Sequence, residues 1–270
     1  MWSKIKRLCR EPCACDNWAQ ERVDRANRIP GKLKGLDCPL CLNRGYTTLL
    51  AEDGKERVRE CACMARRRSL RAAARSGLQH VLEELTFARY QTPEPWQQAL
   101  KAQAQAFAEN PDGQWFYIGG NPGCGKTHLC TAICGELLRA GHSVRYFVWP
   151  SDIRRLKSVV NDDAYDRLFS EYAEADVLYI DDLFKTRRGA EPTSSDVNRT
   201  FELVNRRDQQ PQSVTLFSSE RSLEEVLAID EATGSRIFSR CRAHLISVGR
   251  DPKKNWRIYG SQKEPGQQGG

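Results

Sequence analysis

A glycine-rich stretch at residues 120–127 carries the most specific chemical pattern in the sequence. It reads Gly-Asn-Pro-Gly-Cys-Gly-Lys-Thr, which fits G-x-x-x-x-G-K-[ST] without a gap. Glycines permit backbone angles closed to other residues, so successive N–H groups can surround an anion. Lys126 is placed to reach the β- and γ-phosphates of ATP, and Thr127 to hold Mg²⁺. The residues predicted to bind the nucleotide are Gly120, Asn121, Pro122, Gly123, Cys124, Gly125, Lys126, Thr127 and His128.

The segments on either side of this stretch supply the structural context that the pattern requires. Residues 115–118 form an apolar, aromatic run that predicts a buried strand. Residues 127–139 place Leu129, Ile133 and Leu137 near helical spacing, and the positive end of such a helix favours a bound phosphate. The alternative is a chance match in an ordinary glycine turn, which a strand before it and a helix after it disfavour.

A second motif, Val-Leu-Tyr-Ile-Asp-Asp at residues 177–182, ends an apolar strand in two acids. Such a strand delivers carboxylates to the C-terminal edge of a parallel sheet, where ligands of these sheets bind. Asp181 is predicted to hold Mg²⁺ through its water shell. Asp182 follows where many ATPases keep a glutamate that polarises the attacking water, and its side chain is one methylene shorter.

The chain beyond residue 80 alternates helical and strand patterns, which predicts an α/β fold with a parallel sheet flanked by helices. This ATPase domain is expected over residues 81–260, and a disordered tail over 261–270. The predicted strands are 115–118, 143–149, 176–181, 213–218 and 244–248. The predicted helices are 96–109, 127–139, 151–160, 164–173, 195–207, 222–229 and 234–240.

The first 80 residues hold seven of the eleven cysteines. Cys38 and Cys41 form C-x-x-C, Cys61 and Cys63 form C-x-C, and an Asp-Gly turn between them predicts a hairpin that returns the second pair to the first. Four thiolates could close a tetrahedral structural Zn²⁺ site, which would stabilise a segment too short for a large core. An iron–sulfur cluster is the alternative. The remaining set, Cys9, Cys13 and Cys15, could compete for these ligand roles, form part of a second site or be three free thiols.

The charge of +7 is unevenly distributed, because residues 1–80 carry +9 and residues 81–270 carry −2. The basic first part favours an acidic partner, either nucleic acid or an acidic protein surface, over a merely solvated face. No apolar run is long enough for a transmembrane helix, and the N-terminus lacks the apolar core of a secretory signal. A cytoplasmic protein with no membrane partner is therefore expected.

These motifs together resemble the AAA+ ATPase domain of the DnaC/DnaI replicative helicase loaders, and they are similar also to the IstB transposition ATPases. The more specific features are Gly-Lys-Thr-His-Leu-Cys-Thr-Ala-Ile at 125–133 and Asp-Glu-Ala-Thr-Gly-Ser-Arg-Ile at 230–237. The cysteine segment resembles that of phage and prophage loaders, where a basic helix separates Cys-x-Cys-Met from the same loop. The resemblance covers most of residues 10–258 and implies an AAA+ domain preceded by a small zinc-binding, helicase-binding domain at 1–80.

The resemblance assigns roles to further residues. The strand that ends at Ser219 occupies the sensor-1 position, which many relatives end in asparagine and which here continues into Glu220. Arg236 and Arg240, at helical spacing i and i+4, match the segment that supplies an arginine finger to a neighbouring subunit's ATP, which implies homo-oligomers. Arg257 matches a sensor-2-like contact. In the loaders the segment 150–174 lines a channel for single-stranded DNA, and its basic residues here are Arg154, Arg155 and Lys157.

The implied function is that of an ATP-dependent helicase loader in phage or prophage DNA replication. The N-terminal domain would bind the hexameric replicative helicase, and the ATPase domain would hold ATP and single-stranded DNA. Two alternatives remain open: an IstB-like transposition helper that binds duplex DNA, and a non-catalytic zinc adaptor that holds ATP as a structural ligand. The cofactors expected are ATP, Mg²⁺ and Zn²⁺.

Overall fold

The computed structural model describes residues 14–75, 78–160, 162, 164–187 and 190–259. The chain separates into two compact units, Met1–Arg68 and Ser69–Gly270. The division falls inside a helix that runs from Cys63 to Arg75. The domain boundary at residue 80 stays a prediction. The tail predicted at 261–270 lies outside the described residues.

The N-terminal unit contains helix α1 (Ala14–Arg28), strands β1 (Tyr46–Leu50) and β2 (Glu56–Glu60), and the first part of helix α2 (Cys63–Arg75). The strands pair antiparallel as predicted. Gly54 has a positive φ of 76° in the turn between them, a conformation that glycine adopts without strain. Asn27 fixes α1 to the hairpin, because its amide bonds both the N–H and the carbonyl of Thr48.

The C-terminal unit is built on a parallel sheet of five strands in the order β4–β5–β6–β3–β7. The alternation of strands and helices in the sequence predicted this parallel sheet, and the structure confirms it. The strands are β3 (Phe116–Gly120), β4 (Val144–Val148), β5 (Val177–Asp181), β6 (Val214–Ser219) and β7 (Leu245–Val248). The helices are α3 (Leu78–Glu84), α4 (Pro95–Glu109), α5 (Lys126–Arg139), α6 (Trp149–Ser158), α7 (Ala164–Ala173), α8 (Ser194–Asp208), α9 (Leu223–Ile229), α10 (Glu231–Cys241) and α11 (Trp256–Tyr259).

Both faces of this sheet are covered, because successive side chains of a strand point to opposite faces. Phe116 and Ile118 of β3 belong to one buried cluster with residues of α4 and α5. Tyr117 of the same strand belongs to a second cluster with residues of α6 to α8. This layering leaves the C-terminal ends of the strands as the open edge where the glycine loop lies.

None of the helices in the described residues has the length and apolar character needed to cross a membrane.

Candidate functional site

The glycine loop joins β3 to α5 and has backbone angles that only glycine adopts readily. Gly120, Gly123 and Gly125 have φ values of 107°, 73° and 93°. A Cβ atom at Gly120 would lie 2.1 Å from the carbonyl oxygen of Val248, so a side chain there would clash with the neighbouring strand. Because Gly125 is also the N-cap of α5, the loop turns directly into the helix N-terminus. The loop and helix therefore have the geometry that an anion cradle requires.

Lys126 is buried at the first position of α5, with 7% of its surface exposed. Its Nζ donates hydrogen bonds to the carbonyl oxygens of Gly120 (2.9 Å) and Asn121 (2.8 Å). Burial lowers the pKa of this ammonium, and the nearby carboxylates of Glu220 and Asp182 oppose that shift. A bound phosphate would offer the ammonium a stronger, charged partner than two backbone carbonyls.

Asp181 ends β5 in a buried position and accepts hydrogen bonds from several hydroxyl groups. Thr127 donates to its Oδ1 at 3.2 Å, and Tyr179 donates to the same oxygen at 2.7 Å. Tyr146 donates to Oδ2, and Ser218 donates to Oδ1. The two predicted magnesium ligands, Thr127 and Asp181, thus lie next to each other at the foot of the glycine loop. Hydroxyl and carboxylate oxygens are ligands that Mg²⁺ prefers, so this pair fits the ion.

Asp182 follows β5 in a left-handed conformation, with φ of 56°. Burial is the main cause that raises the pKa of its carboxyl, and the charge of Asp181 adds to that shift. Lys185 forms an ion pair with Oδ2 of Asp182 at 3.1 Å and with Oε1 of Glu220 at 3.0 Å. The carboxylate at the sensor-1 position is therefore paired with a lysine that sequence reasoning missed. Its position three residues beyond the Asp-Asp motif was the only signal available.

These groups surround a cavity of about 470 Å³ beside the glycine loop. Tyr90 forms one wall, because its hydroxyl donates to the carbonyl of Cys124 and its ring packs edge-on against His128. His128 in turn donates from Nε2 to the carbonyl of Thr86 at 2.8 Å. The cavity is lined by Leu85, Arg89, Tyr90, Gln91, Gln97, Pro122, Gly123, Cys124, Gly125, Lys126, Thr127, His128, Asp182, Lys185, Glu220, Trp256 and Arg257.

A segment after β7 closes the cavity on another side. The N–H of Trp256 donates to the carbonyl of Gly123 at 3.0 Å, and the N–H of Asp251 donates to the side-chain oxygen of Asn121 at 3.0 Å. Arg257 is exposed and lines the cavity, and its sensor-2-like role stays a prediction. These contacts tie the last helix of the described residues to the glycine loop.

Ser219 lies away from the cavity and does not line it. Its hydroxyl donates to the carbonyl of Leu183 at 2.8 Å and accepts from the N–H of Arg221 at 3.1 Å. Since the side chains of a strand alternate between faces, the preceding Ser218 is the residue that reaches Asp181. At the end of β6, therefore, Glu220 rather than Ser219 borders the cavity.

Arg236 and Arg240 lie on α10 and do not line the chain's own cavity. Arg236 is partly exposed, donates to the side chain of Asn205 at 3.1 Å and lies over the ring of Phe201. Arg240 donates to several backbone carbonyls, among them that of Gly113 at 2.7 Å, and its guanidinium lies over the ring of Trp115. Arg240 thus holds loops at the N-terminal ends of the strands, a role that the sequence did not indicate.

The three basic residues predicted to contact DNA differ in their surroundings on α6. Arg154 and Arg155 are exposed. Lys157 instead forms an ion pair with Asp196 at 2.8 Å. Asp196 belongs to the capping box at the start of α8, so Lys157 fastens α6 to α8. Of the predicted basic cluster, the two arginines are the exposed members.

Four cysteines of the N-terminal unit lie close together, and these are Cys38, Cys41, Cys61 and Cys63. Sγ of Cys38 lies 3.8 Å from Sγ of Cys61, and Sγ of Cys41 lies 3.6 Å from Sγ of Cys63. All four sulphur atoms lie within 4.8 Å of one another. Zn–S bonds of about 2.3 Å place the sulphurs of a tetrahedral site about 3.8 Å apart. The cluster therefore fits one central ion, whereas an iron–sulfur cluster of several irons would hold the thiolates farther apart.

The backbone and one buried arginine surround this cysteine cluster. The N–H of Gly45 donates to Sγ of Cys41 at 3.3 Å. Burial opposes ionisation, but this bond and the neighbouring thiols lower the pKa of Cys41 to about 6. Arg67, with 3% of its surface exposed, donates to the carbonyl of Lys34 and to the side chain of Asn43. Arg67 thus holds the loop that carries Cys38 and is not a surface cation of the basic helix.

Of the remaining N-terminal cysteines, Cys9 and Cys13 lie outside the described residues. The backbone of Cys15 belongs to α1, and its side chain is also outside what the structure describes.

A five-stranded parallel sheet with a glycine loop, a buried lysine and a paired aspartate at its C-terminal edge defines a P-loop ATPase domain of the AAA+ class. A family model described as IstB-like ATP binding protein matches residues 48–252. The chain belongs to this IstB-like ATP-binding family. The match begins inside the N-terminal unit and ends next to the segment that closes the cavity.

Individual relatives agree with this assignment. Phage-like element PBSX protein XkdC of Bacillus subtilis is 31% identical over 237 residues, covering 83% of this chain and 87% of that protein. Replicative helicase loader DnaC of Escherichia coli is 26% identical over 174 residues, covering 62% of this chain and 67% of that protein. A crystal structure of DnaI shares the fold, with a TM-score of 0.51 and 19% identity over 63% of this chain and 93% of that one. The family supports ATP binding and ATPase activity for the domain.

Proposed function

We propose that this protein is an ATP-dependent loader of a replicative helicase, with a role in phage or prophage DNA replication. The observation that carries the proposal is that Lys126 and Thr127 line one cavity while Thr127 is hydrogen-bonded to Asp181, in a chain homologous to two thirds of a protein named as a helicase loader. XkdC, a protein of a phage-like element, supports the phage context. In this proposal the zinc-holding N-terminal unit binds the helicase, and the ATPase unit binds ATP and single-stranded DNA.

The proposed ATPase site assigns one task to each residue. Lys126 leaves the carbonyls of Gly120 and Asn121 and binds the β- and γ-phosphates. Thr127 and Asp181 would hold Mg²⁺, which neutralises charge on the phosphates when it is bound. Asp182, beside them, orients and polarises the attacking water. We expect ATP turnover in the isolated chain to be slow, because in this proposal the helicase and single-stranded DNA regulate the ATPase.

The proposed site is completed by a neighbouring copy, so the proposal includes a homo-oligomer formed with ATP or on the helicase. Of the two arginines on α10, we assign the finger to Arg236, because Arg240 donates to five backbone carbonyls. Arg236 has fewer partners, which are Asn205, one carbonyl of its own helix and an ion pair of 3.8 Å with Asp208. A finger neutralises charge that develops on the transferred phosphoryl group.

Arg154 and Arg155 are the proposed contacts to the backbone of single-stranded DNA, which predicts binding that weakens with salt.

The family description favours a second candidate, a transposition helper that binds duplex DNA. The Cys₄ segment, whose first pair lies before the matched region, favours the loader.

Size-exclusion chromatography of the protein with the replicative helicase of the same genome, with and without ATP, tests the proposal. A complex that requires the N-terminal unit supports a loader. Absence of any complex, with tighter binding to duplex than to single-stranded DNA, would favour the transposition helper. ATP binding without any turnover would instead favour the non-catalytic adaptor.

A further inference from the structure

Lys185 lies between two carboxylates on the wall of the nucleotide cavity. Its Nζ is 3.1 Å from Oδ2 of Asp182 and 3.0 Å from Oε1 of Glu220, and all three side chains line the cavity. The proposed ATPase site gives Lys185 no task. An ammonium has three N–H donors, so two carboxylate partners leave one donor for a ligand.

The turn that carries Lys185 is held rigidly in place. Leu183 and Phe184, the two residues before Lys185, are fully buried in one apolar cluster. The N–H of Leu183 donates to the carbonyl of Ser218 at 2.9 Å, and its carbonyl accepts from the hydroxyl of Ser219 at 2.8 Å. The turn is thus fastened to the end of β6, from which Glu220 extends. The fold therefore brings Lys185 and Glu220 together.

The electrostatics of the cavity require a cation at this place. Asp182 and Glu220 line the cavity in which the phosphates of a nucleotide would bind, and uncompensated carboxylates would repel them. Lys126, at the end of the glycine loop, lines the same cavity. A partly exposed carboxylate pairs only weakly with a lysine, since water competes for both groups. A terminal phosphate carries more charge and more acceptor oxygens, so it is the better partner for the same ammonium.

We propose that Lys185 binds the γ-phosphate of ATP and so distinguishes ATP from ADP. Without nucleotide, Glu220 and Asp182 hold the ammonium in position. ATP draws it from Glu220 onto the terminal phosphate, whereas ADP offers no such partner and leaves the ion pair in place. Glu220 is then a positioning residue for Lys185, which explains how a carboxylate is tolerated at the end of β6. This inference rests on the proposed binding of ATP in this cavity.

The test compares the affinities of a non-hydrolysable ATP analogue and of ADP, measured by isothermal titration calorimetry on the full chain. Lys185→Gln is expected to weaken the ATP analogue about tenfold, the size of one charge-assisted hydrogen bond, and ADP by less than about twofold. Lys185→Arg keeps the charge and should restore most of the preference. Glu220→Gln should tighten the ATP analogue more than ADP, because ATP then no longer competes with Glu220 for the ammonium of Lys185.

The matched control is Arg187→Gln, which removes an exposed cation two residues away that does not line the cavity. Thermal unfolding of each variant shows that the fold is retained. An equal loss for both nucleotides in Lys185→Gln, or no loss for either, would overturn the inference while nucleotide binding itself stands. A wild-type chain that binds neither nucleotide would overturn the proposed function together with this inference.

Discussion

The hydroxyl of Thr127 donates a hydrogen bond of 3.2 Å to Oδ1 of Asp181. The two residues come from separate motifs, one at the start of α5 and the other at the end of β5. The sheet order and the helix explain the contact, because β6 lies between β3 and β5, and α5, which begins at the end of the glycine loop, packs against both β6 and β5. The groups proposed to hold Mg²⁺ are thus placed together by the fold itself.

Substitution of Lys126 by alanine should weaken the binding of ATP. The buried ammonium is the main positive charge beside the glycine loop, and its loss removes a charge-assisted bond to the phosphates and leaves Asp182 and Glu220 less compensated. We expect ATP affinity to fall at least about tenfold, measured by titration calorimetry. Arg139→Ala, which removes an exposed cation at the far end of the same helix, is the control. Unchanged ATP affinity in Lys126→Ala would contradict the assignment of the loop.

Substitution of Tyr146 by phenylalanine should destabilise the ATPase unit. The hydroxyl of Tyr146 donates to the buried carboxylate of Asp181, and its removal leaves an oxygen with fewer donors. A loss of about 1–3 kcal/mol in the free energy of unfolding is expected, measured by urea denaturation. Tyr165→Phe removes a hydroxyl that bonds the partly exposed Glu202, and should cost only about 0.5 kcal/mol. Equal losses in both variants would mean that Asp181 does not depend on this hydroxyl.

Substitution of Cys41 by serine should remove zinc from the N-terminal unit. The four sulphur atoms fit a single tetrahedral ion, and a unit this small depends on such an ion for stability. We expect metal analysis to show loss of bound zinc, and limited proteolysis to show rapid cleavage of the segment before α2. Cys134→Ala, in the core of the ATPase unit, should retain the zinc. Zinc that persists after Cys41→Ser would exclude the proposed ligand set.

Alanine substitutions of the two arginines of α10 should have different effects on stability and on ATP turnover. Arg240→Ala removes donors from several loop carbonyls and the contact with Trp115, so it should lower the thermal unfolding temperature. Arg236→Ala should leave the unfolding temperature nearly unchanged and reduce ATP turnover. Mixing Arg236→Ala with Lys126→Ala should restore part of the turnover, since each variant supplies what the other lacks at a shared site. No recovery in the mixture would argue against a finger supplied by a neighbouring copy.

The sequence predicted those features of the fold that leave a periodic or spaced pattern. The glycine loop, the strand that ends in Asp181 and the paired cysteines each consist of residue types at fixed separations, and the structure places them as expected. The parallel sheet followed from the alternation of strand and helix patterns.

Features that depend on long-range contacts left no such pattern. Lys185 looks like an ordinary surface lysine until β5 and β6 lie side by side and bring it to Glu220. Lys157, Arg207 and Arg240 look like solvated cations, yet Lys157 pairs with Asp196, and the other two bind backbone carbonyls. A charged residue gives no sign in the sequence of which partner it meets after folding, so these roles required the structure.

The measurement that tests the central proposal most directly is loading of the replicative helicase of the same genome onto closed circular single-stranded DNA. A ring-shaped helicase cannot thread onto a circle without being opened, so helicase that co-elutes with the circle reports loading. The wild-type protein with ATP should increase the bound helicase strongly, and Lys126→Ala and Cys41→Ser should not. If the wild-type protein with ATP leaves bound helicase at the level of helicase alone, the protein is not a loader of that helicase.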